Sequence, residues 1–229
     1  MNYEELYNTC HENGYKSETD YAWYRHFLKL FESLSIPYDN ILDVGCSIGN
    51  GVKLYNDKGI TCDGVDVSSI AVDIGKKRGL NLYSASCTNL PFENEKYDIV
   101  ISSDMLEHLE LYDVDKGIEE IFRVSKKYIG LKIPIFKEPV SKYLKEPWRN
   151  KINKYGIKSY NLHLTVLSHS EWMKKFTQNR DLITLFNYFV VPARCFIVVF
   201  AKKTLETILI EEKSKLISTF KHYQEALNI

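Results

Sequence analysis

Between residues 40 and 133 short apolar runs alternate with stretches of helical periodicity, and nothing else constrains this chain as strongly. Asn40–Val44, Thr61–Val65, Leu80–Tyr83, Tyr97–Ser102 and Tyr128–Ile133 read as strands. Between them, residues 51–58 form a helix closed by Gly59, and residues 70–78 form one capped by Ser68 or Ser69 and ended by Gly79. Residues 113–125 carry Ile118, Ile121, Phe122 and Val124 on one face, with acids in the first turn where a helix dipole favours them. Strands joined by helices of this length pair in parallel, because a parallel pair needs a long crossover. The pattern predicts an α/β doubly wound sheet, mostly parallel, with helices on both faces. At 229 residues and 45% hydrophobic, the chain has enough apolar material for one such domain and its appendages.

The alternation breaks after Pro134. Residues 134–168 are rich in proline, lysine and aromatics and show no clean period, which predicts a lid-like insert. Ser168 or Ser170 then caps a helix carrying Trp172, Met173 and Phe176, and Leu182–Val190 and Cys195–Ala201 complete a sheet of about seven strands. Residues 20–34 place Tyr21, Tyr24, Phe27, Leu28 and Phe31 at helical spacing. The tail does the same with Leu205, Ile208, Leu209, Leu216, Phe220, Tyr223 and Leu227; it packs on the domain or serves as a contact in an oligomer. The expected divisions are an N-terminal helical cap (1–36), a main domain (37–203) with insert 134–168, and a C-terminal helix (204–229).

Charge and cysteine content narrow the function. Thirty basic and thirty acidic residues give no net charge, which argues against a nucleic-acid partner gripped through many phosphates. The five cysteines, Cys10, Cys46, Cys62, Cys87 and Cys195, are odd in number and contain no C-x-x-C pair; reduced thiols and a cytoplasmic location are the simple expectation. The polar, acidic first ten residues are not expected to act as a signal peptide, and the most apolar stretch, 186–201, is too short to span a bilayer. No His/Asp/Glu group has metal-ligand spacing along the chain, so no metal is expected.

Where the first strand meets the first helix the chain reads Ile41-Leu42-Asp43-Val44-Gly45-Cys46-Ser47-Ile48-Gly49-Asn50-Gly51. Glycines there permit unusual backbone angles and close approach of a ligand to the main chain. The G-x-x-x-G-x-G spacing differs from the G-x-G-x-x-G of dinucleotide-binding domains, which argues against a nicotinamide dehydrogenase. It resembles the first motif of class I S-adenosylmethionine-dependent methyltransferases, with Ser47 in place of the usual middle glycine. The resemblance continues through Gly64-Val65-Asp66-Val67-Ser68, where Asp66 stands 23 residues after Asp43. It then takes in Ser86-Cys87-Thr88-Asn89-Leu90-Pro91-Phe92, with Ser86 where relatives carry an acid, and Ser102-Ser103-Asp104-Met105-Leu106-Glu107-His108-Leu109.

What this resemblance implies is a Rossmann-like fold and S-adenosyl-L-methionine as cofactor. Asp43, Gly45, Cys46, Ser47 and Gly49 would meet its amino-acid half. Asp66 and Val67 would meet the ribose, Ser86 and Cys87 the adenine, and Ser103 and Asp104 the region of the methyl group. A carboxylate accepting from a ribose diol suits Asp66; an N-cap for the next helix is the other use of an acid there. Cys87 also reads as a small buried residue.

Methyl transfer needs a base only when the acceptor loses a proton, as a sugar hydroxyl does. His108 and His163 are the candidate bases, against a packing role for each, and Glu107 reads as a residue that orients the loop or takes the cofactor's amino group. The aromatics Tyr15, Tyr21, Trp23, Tyr24, Tyr143, Trp148, Tyr155 and Tyr160 suit stacking on an acceptor or lid packing. Lys142, Lys145, Lys151, Lys154 and Lys158 form a solvated face or draw in an anionic, sugar-like acceptor. The reading favoured is O-methylation of a small molecule, a sugar or glycan precursor. An RNA or protein acceptor, and a binding protein without turnover, are the alternatives.

Overall fold

The structure is a computed structural model and describes residues 1–15, 21–135, 146–157, 162–190 and 194–204, with 207 and 210. Seven strands, β1 (Asn40–Val44), β2 (Thr61–Asp66), β3 (Leu82–Ser84), β4 (Tyr97–Ser103), β5 (Ser125–Pro134), β6 (Leu182–Val190) and β7 (Cys195–Lys202), form one sheet. Their order is β3-β2-β1-β4-β5-β7-β6. The first five pair in parallel, while β7 runs antiparallel between β5 and β6. The order reverses between β1 and β4, which opens a crevice at the carboxyl ends of those strands, where ligands bind in open α/β sheets.

Burial explains the strands. Six consecutive residues of β4, Tyr97 to Ser102, are buried, as expected for a strand covered on both faces. In β1 the pleat sends Ile41 to one core, with Phe27, Val52 and Tyr55, and Leu42 to the other, with Ile118, Trp172 and Phe176. The helices are α1 (Tyr3–Glu12), α2 (Tyr21–Ser33), α3 (Asn50–Asn56), α4 (Ser69–Lys77), α5 (Leu111–Val124) and α6 (His169–Thr177). Ser168 caps α6 through a full capping box with Glu171. The helix expected over 20–34 is α2, and Gly51 lets it approach α3: a Cβ there would lie 2.2 Å from the Tyr24 ring.

One element departs from expectation. The first ten residues look merely polar, yet residues 3–12 form α1, with the Asn2 side chain accepting from Glu5 N at its start. A ten-residue helix is marginal alone. Its buried pair, Leu6 and Cys10, lies one turn apart and closes a third apolar cluster with Trp148, Ile152, Ile157 and Leu162. The described part of the insert is therefore packed: Pro147–Lys151 and Asn153–Tyr155 are 3-10 turns laid against α1. Of the expected C-terminal helix only residues 204, 207 and 210 are described, and residues 136–145 and 158–161 of the insert also lie outside the described residues. No helix among the described residues is long and apolar enough to cross a membrane.

Candidate active site on the carboxyl edge of the sheet

The loop between β1 and α3 is tied to the end of β2. Gly45 N and Cys46 N both donate to Val65 O, at 2.8 and 3.1 Å. Asp66 joins the loop to α4, accepting from Ser47 N and Ser68 N, each at 2.8 Å. Ser68, and not Asp66, caps α4, so the carboxylate keeps lone pairs for a ligand. Burial raises the Asp66 pKa against the main-chain N–H groups of Ser68, Ser47 and Val67. Gly45 has φ +83°, and a Cβ there would meet Met105 Cγ at 2.5 Å, so the main chain must stay bare. Gly49 opens α3 in the left-handed region, and Ser47 shares that region at φ +50°.

Asp43 supplies the clearest mark of a ligand. It is fully buried, and neither carboxylate oxygen has a hydrogen-bond partner in good geometry; the Tyr24 hydroxyl is a loose hydrogen-bonding neighbour. Burial pushes its pKa up to about 7; the neighbouring Tyr24 hydroxyl opposes this and the charge of Asp66 adds to it. A buried carboxylate without a partner in good geometry costs free energy that a cationic group would recover. Cys46 contributes main chain only, because its side chain is buried in the core.

On the other side of β2, the Ser86 hydroxyl accepts from Thr88 N at 3.2 Å and shares a 2.8 Å bond with Thr88 Oγ1, so it shapes the turn. Cys87 is half-buried, and burial pushes its thiol up to about 12, which makes it a neutral packing group. The Leu-Pro-Phe segment after it is clamped by α5. Leu90 N donates to Glu120 at 2.6 Å, and Arg123 donates to Leu90 O at 3.0 Å and Phe92 O at 2.7 Å. The sequence reading missed both clamping residues.

It also missed Lys132. This buried lysine of β5 pairs with Asp104 and lies 4.5 Å over the Trp23 ring. Its signal was visible as the one charge inside the apolar run Tyr128–Ile133. Asp104 holds φ +53°, a strained angle for a side chain other than glycine, and donates its N–H to Lys132 O at 3.1 Å. Ser103 donates to Asp104 at 3.1 Å.

Beyond β4 the two histidines meet. Thr165 N donates to Glu107 O at 3.0 Å and Thr165 Oγ1 to Leu109 O at 2.7 Å, which lays the end of the insert along the loop after β4. This sets the His108 and His163 rings edge to face, 5.0 Å apart. Glu107 Oε1 stands 3.5 Å from His108 Nε2 and 3.8 Å from His163 Nε2. Three residues with no recognisable ligand spacing in the chain thus converge, contrary to the linear expectation; one ligand atom from each lies within 4.8 Å of the others. Burial and the neighbouring His163 press the His108 imidazole down to about 3, against a bond to the Leu162 carbonyl.

Helix α1 covers both halves. The Tyr7 hydroxyl bonds His108 Nδ1 at 2.9 Å, and Asn8 accepts from the Ser68 hydroxyl at 2.8 Å and donates to Ser69 at 3.0 Å. Tyr15 and Trp148 pack edge to face at 5.4 Å, and Tyr155 bonds Thr9 at 2.8 Å, so these aromatics hold α1 to the insert. Tyr143, Tyr160, Lys142, Lys145 and Lys158 lie outside the described residues. Lys154 forms an exposed ion pair with Glu5.

Residues 42–128 match the family model described as Methyltransferase domain, the segment that holds every residue expected on the cofactor side. With the strand order of the sheet, this makes the region a class I S-adenosylmethionine-dependent methyltransferase domain. The chain is similar to norajmaline N-methyltransferase of Rauvolfia serpentina, 30% identical over 43% of this chain and 36% of the relative. It is also similar to an uncharacterized protein of Methanocaldococcus jannaschii, 34% identical over 49% of this chain and 47% of that one. Each match thus spans less than half of the relative. In fold it is similar to magnesium protoporphyrin IX methyltransferase of Synechocystis, solved with bound SAH. That likeness has a TM-score of 0.60 at 13% identity and covers 87% of this chain and 94% of that one.

Proposed function

We propose that this protein transfers the methyl group of S-adenosylmethionine to a hydroxyl of a small-molecule acceptor, a sugar or glycan precursor. The observation that carries the cofactor half is the buried Asp43 carboxylate, with only the Tyr24 hydroxyl loosely beside it, next to a loop that tolerates no side chain at Gly45. Asp43 fits the cofactor's ammonium, and Asp66, with lone pairs to spare, fits the ribose diol. The bound cofactor supplies a methyl group activated on a sulfonium. The chain must align the acceptor and exclude water, and α1 with the packed part of the insert stands where such a cover is needed.

Held by Asp43 and Asp66, the cofactor would supply its methyl group to the acceptor oxygen, and the electron pair of the carbon–sulfur bond would stay on sulfur. The hydroxyl proton leaves beside the Glu107–His108–His163 cluster. The cluster favours a hydroxyl acceptor, since a neutral amine needs no such group. The two named relatives carry different acceptors in their names, norajmaline and magnesium protoporphyrin IX, so the acceptor is read from this chain's own residues. The test is calorimetric titration with S-adenosylhomocysteine, wild type against Asp66→Ala, followed by methyl transfer to free and nucleotide-linked sugars, RNA and protein. Micromolar binding lost in the variant, with turnover on a sugar, supports the reading; no binding by the folded wild type overturns it, and turnover confined to RNA or protein overturns the acceptor.

A further inference from the structure

Glu107, His108 and His163 offer one carboxylate oxygen and two imidazole nitrogens within 4.8 Å of one another, in a place where Glu107 and His163 are buried. Ligand atoms around a tetrahedral ion bound at about 2.1 Å stand roughly 3.4 Å apart. Glu107 Oε1 is 3.5 Å from one imidazole nitrogen and 3.8 Å from the other, and all three ligand atoms lie within 4.8 Å, so side-chain rotation that draws the two imidazoles together closes the set. We propose that these three residues bind a divalent transition-metal ion, leaving an open coordination position for an oxygen of the acceptor. Binding of the ion stands by itself; its action on the acceptor rests on the methyl-transfer reading.

Two features support a metal over a bare pair of bases. Two imidazoles and one carboxylate form a ligand set suited to zinc, cobalt or iron, whereas magnesium prefers oxygen ligands. The Tyr7 hydroxyl holds His108 Nδ1 at 2.9 Å and fixes the ring with Nε2 toward Glu107, the outer-shell support that ligating histidines commonly have. A metal ion polarises a hydroxyl and lowers its pKa, so the proton of the acceptor can depart to water as the oxygen takes the methyl group.

The test uses the full chain, stripped with a chelator and dialysed. Cobalt(II) and zinc(II) are titrated by visible absorption and calorimetry, with S-adenosylhomocysteine affinity measured on the same samples. One ion per chain at micromolar or better affinity is expected, with at least a tenfold loss in both Glu107→Gln and His163→Gln while S-adenosylhomocysteine affinity holds. No ion bound by a wild type that still binds S-adenosylhomocysteine overturns the proposal, and so does equal ion binding by both variants. An ion bound without any S-adenosylhomocysteine binding would keep the metal site and sink the methyl-transfer reading.

Discussion

The two halves of the candidate site are built in opposite ways. The proposed cofactor half centres on one continuous stretch, Asp43 to Ser68, and works largely through main chain: bare glycines, N–H groups aimed at Asp66, and one buried carboxylate. The acceptor half is drawn from three distant segments, Tyr7 of α1, Glu107 and His108 after β4, and His163 at the end of the insert, and works through titratable side chains. A site made of backbone is written locally, because strand, turn and helix dictate where each amide points. A site made of side chains from remote segments exists only once the chain has closed on itself.

The sharpest way to break the first half is to put a side chain where none fits. Gly45→Val must abandon φ +83° and strike Met105, so we expect loss of measurable S-adenosylhomocysteine binding and destabilisation of about 3 kcal/mol or more, read by calorimetry and thermal unfolding. Next in size is Asp66→Ala. It removes the acceptor of both Ser47 N and Ser68 N, and S-adenosylhomocysteine affinity is expected to fall about 100-fold, about 2.7 kcal/mol. Retained affinity would show that loop geometry alone holds the cofactor.

The two halves also oppose each other in pH. Asp43 is raised from 3.8 to about 7 in the fold, so its contribution to stability is present below pH 3.8 and is lost as pH climbs to about 7. His108 and His11 are depressed from 6.5 to about 3 and about 4, so theirs is present above pH 6.5 and is lost as pH falls through those values. Asp43→Asn is expected to flatten the decline of unfolding free energy on the neutral side, and His108→Gln to flatten the loss on the acid side. Denaturant titrations between pH 4 and 8 read both. If S-adenosylhomocysteine is present, the Asp43 limb should shrink, because its amino group then meets the carboxylate.

Smaller effects sharpen the contrast. Tyr7→Phe removes the bond to His108 Nδ1 and is expected to cost about 1 kcal/mol of stability and to lower the rate of methyl transfer. S-adenosylhomocysteine affinity should stay nearly unchanged; a large loss would mean that α1 belongs to the cofactor half. Smallest of all, Ser47→Gly relieves a left-handed serine and should stabilise by about 0.5 kcal/mol with cofactor binding kept.

How much of this was legible beforehand follows the same division. Strand and helix order, the glycine loop, Asp66 and the position of His108 on the carboxyl edge could be read from pattern and motif. Lys132 was visible as a charge in an apolar strand, but nothing in the run says that Asp104 and Trp23 will enclose it. Helix α1 was not legible, because its face is only two buried residues, Leu6 and Cys10, and its stability comes from the insert it packs on. Glu120 and Arg123 looked like surface charges of α5 until the Leu90–Phe92 segment was found between them.

The sequence by itself determined the sheet, its crossovers and the backbone cradle after β1. These depend on periodicity, glycine conformation and near-neighbour hydrogen bonds, which short stretches carry within themselves. Only the tertiary structure decided that residues 107, 108 and 163 share one place, that α1 lies over them, and that Asp43 is buried with only the Tyr24 hydroxyl loosely beside it. Those facts depend on contacts between segments up to about a hundred residues or more apart, and on which polar atoms the finished packing leaves unsatisfied.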